Sequence, residues 1–554
     1  TEIYTLSLHD ALPIWFLTYL GVAYFVFRLW EQGPFGWRRL VQGVVFFGGI
    51  TVGVTAVTLF PGAEYLAQTA RSGMGYAGKT NGFPLQDVVQ MMYPGVVSLF
   101  SPLYVGLTGV GLVGLAISRA NRAVWFWLGV VAVGLMWSFG GNTAFFPAIY
   151  NALPGLRFFR GQERAAFYVA HGLAILAGYG AALAWSADLS RAARLVVGWA
   201  LRITGVIFGA GVLLWVGFPA NYGAAIGALA FAPMVLIGLW AALRLAPAGS
   251  VALRVAVIGL LVFELFSVTM DAASNYDDVP PVDQVAMTAP PLVAPVMPTA
   301  GRVVRVDGFR GLTANYGSLY GVYDARGISP LFLDGLYQLQ QPPFATPAAF
   351  EINPVFWELN AVEYVYSGWE DLPIAGEVIA SGADQYGAVN LHELADPRPF
   401  AHLVYAADVV DSDEFARALL AAPAYNPRES VILRVPPSVD LPDGPPDGGT
   451  ATVTQFAPEQ FTVTVDTPDN AILTLAHPDY PGWQATRNGE PARILRAYGG
   501  FSAVEIPAGE HVIMLSYDPV SFRVGAGLSL LTWVGLGVFG LIKLVIGRRQ
   551  NADN

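Results

Sequence analysis

The sequence contains no cysteine, which removes disulfides, thiolate nucleophiles and cysteine-ligated metals from consideration. Its six histidines are scattered, and none stands in an HExxH or comparable paired spacing, so a zinc centre has no evident ligand set. Charge is scarce as well: 13% of the residues are Asp, Glu, Lys or Arg, where a soluble chain carries about 25%. What is abundant is apolar, with 54% hydrophobic residues and a mean hydropathy of +0.48. This is the composition of a polytopic membrane protein.

A membrane-crossing helix needs about 20 mainly apolar residues. Runs of that character occupy 15–30, 40–60, 103–118, 123–139, 165–186, 195–217, 224–243, 251–270 and 523–546, which predicts about nine helices. Trp125, Trp127 and Trp137 stand near the two ends of the fourth run, where interfacial anchors are expected. Basic residues mark alternate short loops: Arg28, Arg38 and Arg39; Arg119 and Arg122; Arg191 and Arg194; Arg244 and Arg254; Arg548 and Arg549. By the positive-inside rule these loops are cytoplasmic, which places 61–102, 140–164, 218–223 and the long segment 271–520 outside.

Charge divides along the same line. Segment 271–520 holds 32 acidic residues and 11 arginines, and the remainder holds 9 acidic and 19 basic residues. An outer segment this acidic argues against nucleic acid and against docking on anionic lipid, and it keeps an exposed domain soluble. Within it, 271–298 reads as a Pro-rich extended linker. Residues 299–436 read as a mixed α/β module, with DSDEFARALLA (411–421) as a helix whose first turn is acidic. The turn-rich stretch 437–450 predicts a second linker. Short alternating strands over 451–520 predict a β-sandwich, with Asn488-Gly489 as a hairpin turn. The last helix takes 521–547.

Several separated motifs carry a resemblance. PDYPGWQATRNGEPARILRAYGGFSAVEIPAGEHVIMLSYDPVSFRVG (478–525), LPGLRFFRGQERAAFYVAHGLAILAGYG (153–180) and NYGSLYGVYDARGISPL (315–331) resemble motifs of the bacterial membrane protein YfhO family. The resemblance runs from about residue 15 to the end. It implies a GT-C-like membrane glycosyltransferase, which moves a sugar from a polyprenyl-phosphate donor to a cell-envelope glycan or glycopolymer acceptor and needs no cofactor. In such enzymes the catalytic acid usually sits in the first outer loop. TLSLHDALPI (5–14) resembles a translated sequencing adapter, so residues 1–14 are set aside. The expectation is that the catalytic loop lies upstream of Trp15 and that this chain alone is inactive.

The residues themselves offer a few candidates. Glycosyl transfer from a lipid phosphate needs a carboxylate to activate the acceptor and cations for the departing phosphate. Glu64 and Glu163 are weak candidates for the carboxylate. Arg157, Arg160, Arg164 and Arg71 are candidates for the phosphate, because Arg and Lys are disfavoured on the outer side. Arg157, Arg160 and Arg164 have helical spacing that would align them on one face, and Glu64 and Arg71 likewise. The plainer reading of both sets is internal ion pairing. Asp87 reads as a helix-capping acid, Glu264 as an acid inside an apolar run, and His171 as a group between helices. Trp483, Tyr480 and Tyr498 could form a sugar-stacking platform, against core filling as the plainer role. The alternative to an enzyme is a non-catalytic envelope protein that presents a carbohydrate-binding or glycan-export accessory domain.

Overall fold

With no water in the hydrocarbon core, every backbone N–H and C=O must pair within its own segment, so the apolar runs fold as helices. The computed structural model describes residues 8–31, 33, 36–94, 103–153, 155–156, 160–186, 191–219, 225–247, 249–269, 290–298, 303–312, 316–327, 331–345, 351–384 and 386–552. The first ten helices are α1 (Leu8–Glu31), α2 (Trp37–Ala67), α3 (Ala70–Gly73), α4 (Leu107–Ser118), α5 (Arg122–Ser138), α6 (Phe146–Ala152), α7 (Ala166–Trp185), α8 (Arg191–Gly217), α9 (Ala225–Leu245) and α10 (Val251–Thr269). Two compact units result, one of 1–41 with 74–279 and one of 42–73 with 280–554.

The chain is a polytopic helical membrane protein. Among the described residues six stretches are long and apolar enough to cross a membrane: Leu40–Ala67, Gln162–Trp185, Val197–Gly217, Ala225–Leu245, Val251–Val268 and Val520–Ile546. The runs expected at 103–118 and 123–139 are helices of 12 and 17 residues. At 1.5 Å per residue the first falls well short of a core about 30 Å thick. Helix α1 includes residues 8–14, which the sequence reading sets aside.

In the first unit α7 packs against α4 and α5 at close range. A Cβ on Gly180 would lie 1.8 Å from the Leu112 carbonyl oxygen, and one on Gly134 2.5 Å from the Tyr168 Cβ. Small residues allow this approach, the usual device where lipid gives helices no hydrophobic reason to associate. Only one of the three expected tryptophan anchors faces outward. Trp125 is exposed, whereas Trp127 and Trp137 are buried with Phe16, Tyr168 and Val169.

The second unit contains β1 (Arg305–Asp307), β2 (Tyr323–Asp324), α11 (Asp334–Leu339), α12 (Pro354–Leu359), β3 (Tyr364–Ser367), β4 (Gly376–Asp384), β5 (Gly387–Leu394), β6 (Ala401–Val404), β7 (Ala406–Val409), α13 (Asp413–Leu420) and β8 (Ser430–Leu433). It continues with β9 (Thr450–Ala457), β10 (Gln460–Thr467), β11 (Ala471–Pro478), β12 (Trp483–Arg487), β13 (Glu490–Ala492), β14 (Ile494–Ala497), β15 (Phe501–Ile506), β16 (Gly509–Tyr517) and α14 (Val520–Ala552). Three sheets form, with strand orders β2-β1-β3-β5-β4, β13-β12-β16-β10-β9 and β6-β11-β15-β14-β8-β7. The last two enclose Phe461, Val463, Leu473, Leu475, Val504, Ile513 and Leu515, the core of a β-sandwich.

Two domain boundaries differ from expectation. Strands β6 to β8 lie N-terminal to the stretch 437–450, yet β6 pairs with β11 from Ile472↔Val404 to Leu475↔Ala401. Residues 401–433 therefore belong to a sandwich sheet rather than to the sheet of β1 to β5. In the Pro-rich stretch, 277–289 lies outside the described residues. Leu292, Val293 and Val296 bury against β1, β3 and β5, so that end is packed. The Asn488-Gly489 turn joins β12 to β13 with φ of 53° and 87°, the two positive values a two-residue hairpin needs. Helix α13 starts at Ser412, whose hydroxyl accepts from the Phe415 N–H.

Candidate functional site

In the first unit the sequence singles out 153–164 as the approach to a membrane helix, but the local backbone is not one helix. Gly161 has φ of +79°, a left-handed residue between Arg160 and Arg164, and only a short 3-10 turn at Gln162–Ala165 precedes α7. A continuous helical face carrying the arginines is therefore not formed. Arg157 lies outside the described residues; Arg160, Glu163 and Arg164 are half-buried. The loop is fixed instead by Gln162. Its Oε1 accepts from Trp137 Nε1 at 2.8 Å, its Nε2 donates to the Lys79 carbonyl at 3.0 Å, and its backbone N–H donates to Asn81 O at 2.8 Å. A Cβ on Gly82 would fall 2.4 Å from the Phe139 carbonyl carbon, so 79–83, 138–142 and 161–162 form one tightly interlocked backbone cluster.

One further candidate in this unit serves packing. His171 stacks on Phe167 at 5.5 Å and lies 5.7 Å from Trp127. Asp87 is buried in the first turn of a short 3-10 segment, Leu85–Met91. Glu264 has a distinct position. It is buried, and its carboxylate accepts from the Leu107 and Thr108 backbone N–H groups and from the Tyr104 hydroxyl, the last at 2.5 Å. A carboxylate from α10 thus closes the N-terminus of α4, where unpaired N–H groups and the helix dipole favour a negative charge. Gly106, at φ +84°, makes room for it: a Cβ there would meet Glu264 Oε2 at 3.2 Å.

In the second unit, Glu64 is in the last turn of α2. Arg71 is in α3, after a break in the helix where Thr69 forms a β-bridge with Leu333. The two do not share a helical face. Arg71 is buried. Around the end of α2 the structure gathers aromatic rings that the sequence keeps far apart. Tyr65 lies 5.8 Å from Tyr480, Tyr480 6.1 Å from Tyr517, and Trp483 5.5 Å from Tyr517. Burial raises the Tyr480 phenol above its ordinary range, and Tyr517 and the Glu64 charge raise it further. Tyr517 is also raised, by burial first and then by Glu64. Glu64, Tyr65, Tyr480, Trp483 and Tyr517 therefore form one polar–aromatic cluster. Sequence reasoning missed Tyr65 and Tyr517, although Tyr517 stands in the Y-x-P segment before α14.

Of the three aromatics proposed as a platform, Tyr480 and Trp483 both border Tyr517 and Tyr498 stands apart. Trp483 is half-buried, with His477 edge-on at 4.4 Å and Phe461 at 5.6 Å. Tyr480 joins the α2 cluster. Tyr498 is only 2% exposed and its hydroxyl donates to the Pro427 carbonyl at 2.7 Å, so its ring has no face to offer a sugar from solvent.

These strands are also the part of the chain with known likeness. Residues 449–529 match the family model described as Bacterial membrane protein YfhO. Over that segment the resemblance read from the sequence is borne out. The matched segment comprises β9 to β16 and the start of α14, so it includes Tyr480, Trp483 and Tyr517 but not Glu64. No curated protein and no solved structure matches the chain. The motif 315–331 of the same resemblance lies outside the matched segment and supplies Arg326 to a buried ion pair. Arg326 donates to both Asp307 oxygens at 2.7 and 2.9 Å, and Trp357 Nε1 donates to Asp307 Oδ2 at 2.7 Å.

Proposed function

We propose that the protein is a GT-C-like membrane glycosyltransferase that moves a sugar from a polyprenyl-phosphate donor to a cell-envelope acceptor. The observation that carries this reading is the YfhO match over 449–529 on a polytopic membrane protein. The charge pattern supports a place in the bacterial cytoplasmic membrane with 271–520 on the outer side. In the proposed step an acceptor hydroxyl oxygen bonds to the anomeric carbon, the bond from that carbon to the phosphate oxygen breaks, and polyprenyl phosphate leaves with the electron pair. A carboxylate takes the hydroxyl proton.

Of the carboxylates, Glu64 is favoured over Glu163, because Glu64 stands at the end of a membrane-spanning helix among phenols able to hydrogen-bond a sugar. Arg71 and the Tyr480–Trp483 pair belong to the same unit as Glu64. Arg160 and Arg164, in the other unit, are proposed separately as contacts for the donor phosphate, with Arg157 beside them in sequence.

The test is transfer of a radiolabelled hexose from a polyprenyl-phosphate donor by the gene product in proteoliposomes. Glu64→Gln should lower turnover about 10²- to 10⁴-fold. Arg160→Gln or Arg164→Gln should weaken donor binding about ten- to a hundred-fold. Unchanged turnover in E64Q removes Glu64 from the chemistry. Donor binding without turnover by the parent protein favours the non-catalytic envelope role instead.

A further inference from the structure

The least protected large aromatics of the first sheet stand together at one end of it. Trp369, just beyond β3, is 44% exposed, and Tyr386, in the turn between β4 and β5, is 74% exposed. An isolated exposed aromatic needs no explanation, but these two are held. Trp369 Nε1 donates to Glu351 at 2.8 Å and its backbone N–H to Ser367 Oγ at 3.0 Å. Its carbonyl accepts from Asn390 Nδ2 at 3.0 Å and lies 3.1 Å from His392 Nε2. Arg310 links the second ring to the first. It pairs with Asp384 through two hydrogen bonds of 2.7 and 3.0 Å, approaches Glu351 at 3.6 Å, and holds its guanidinium 5.6 Å from the centre of the Tyr386 ring. The Tyr386 N–H donates to Asp384 at 2.7 Å.

Such an arrangement fixes ring planes in advance while leaving ring area open, so a ligand meets little ordering cost. The rings supply flat apolar area, and carboxylates, amide and guanidinium edge them with hydrogen-bonding groups. A pyranose matches both features, since its C–H face is apolar and its hydroxyl rim both donates and accepts. Charge narrows the class. Among the described residues, Glu351, Glu370, Asp371 and Asp384 stand against Arg310, a balance that repels phosphate- or sulfate-bearing polymers. The carboxylate of Asp384 is held down at about 2 by the Arg310 hydrogen bonds, so Asp384 stays charged at any physiological pH.

We infer that the Trp369–Glu351–Arg310–Tyr386 run is a binding surface for an uncharged oligosaccharide. It is distinct from the Glu64 cluster and does not depend on transfer activity, so either reading can fail alone. The test uses the full chain in lipid nanodiscs, free of sugar-headed detergent. Saturation-transfer NMR titrations would use maltohexaose, cellohexaose, laminarihexaose and chitohexaose, with heparin as the anionic counter-probe. Saturable binding of at least one neutral oligosaccharide, and none of heparin, is expected. Trp369→Ala and Tyr386→Ala should each weaken it about tenfold, while Phe415→Ala, an exposed aromatic on α13, should leave it unchanged. Tyr386 is so open that its variant tests the surface even if W369A folds poorly. No saturable binding of any of the four, equal binding by Y386A and the parent, or preference for heparin would each overturn the inference.

Discussion

Glu264 and His477 are both ionisable residues in apolar settings, with different neighbours. Glu264 accepts from two backbone N–H groups and a tyrosine, so it does for α4 what a capping side chain does from within a helix. Glu264→Ala should therefore cost about 2–3 kcal/mol, the penalty for orphaned buried donors, and Glu264→Gln less, because an amide oxygen still accepts. Thermal unfolding in detergent measures both; an E264A protein as stable as the parent would show that α4 does not need this cap. Among the described residues no anion favours a charged His477. Burial, and then the nearby Arg305 guanidinium, push its pKa down to about 3. Its unfolded value is about 6.5, so between these limits the unfolded state binds the extra proton. The stability from a neutral His477 is complete above about pH 6.5 and is lost as pH falls toward 3, at a limiting slope of about 1.4 kcal/mol per pH unit. His477→Phe should flatten that part of the stability–pH curve. An unchanged slope in H477F would assign the acid sensitivity to other groups.

Elements decide which of these residues meet. Spacing alone put Glu64 with Arg71 and Arg160 with Arg164 on shared helical faces, and in each case the helix is interrupted between the two residues. Past Ala67 the chain leaves α2 to bridge Thr69 with Leu333, and at Gly161 it passes through a left-handed conformation. The first interruption depends on a partner 264 residues away in sequence, which no local pattern contains. The second had a local signal in Gly161 itself, since glycine is the residue that adopts this conformation at no steric cost. Strand β1 and the segment after β2 are joined by the Asp307–Arg326 pair, both members buried. Replacing Arg326 with Met should destabilise the second unit by about 3–5 kcal/mol, because Asp307 would stay buried without its guanidinium partner. Asp307→Asn in the same protein should restore part of that loss. Calorimetry on the parent, the single and the double variant measures the coupling, and additive losses would mean the pair acts as two independent groups.

At the scale of the molecule, the proposed outer location of 271–520 predicts a simple result. Protease added to intact spheroplasts should release fragments of this segment while the helical part stays in the membrane. Protection until lysis would reverse the orientation. Hydropathy was enough to locate the membrane helices, because the bilayer admits few alternatives and a long apolar run has only one way to pair its backbone. It was not enough to count the spans: α4, at 12 residues, is shorter than the run that predicted it, and α5, at 17, falls below the six spanning stretches in length.

The sandwich strands and the Asn488-Gly489 hairpin were equally legible, since alternation and turn chemistry are encoded over a few residues. So was the YfhO signature at the C-terminal end of the chain. Three matters rested on long-range contact alone. Strands β6 to β8 joined the sandwich, because sheet edges are completed by whichever strand packing brings alongside. Tyr65 met Tyr480 across more than 400 residues. Tyr498 went into the core while Trp369 and Tyr386 stayed in solvent. A sequence states that a residue is aromatic; only the packing of its neighbours determines which of its faces remains open.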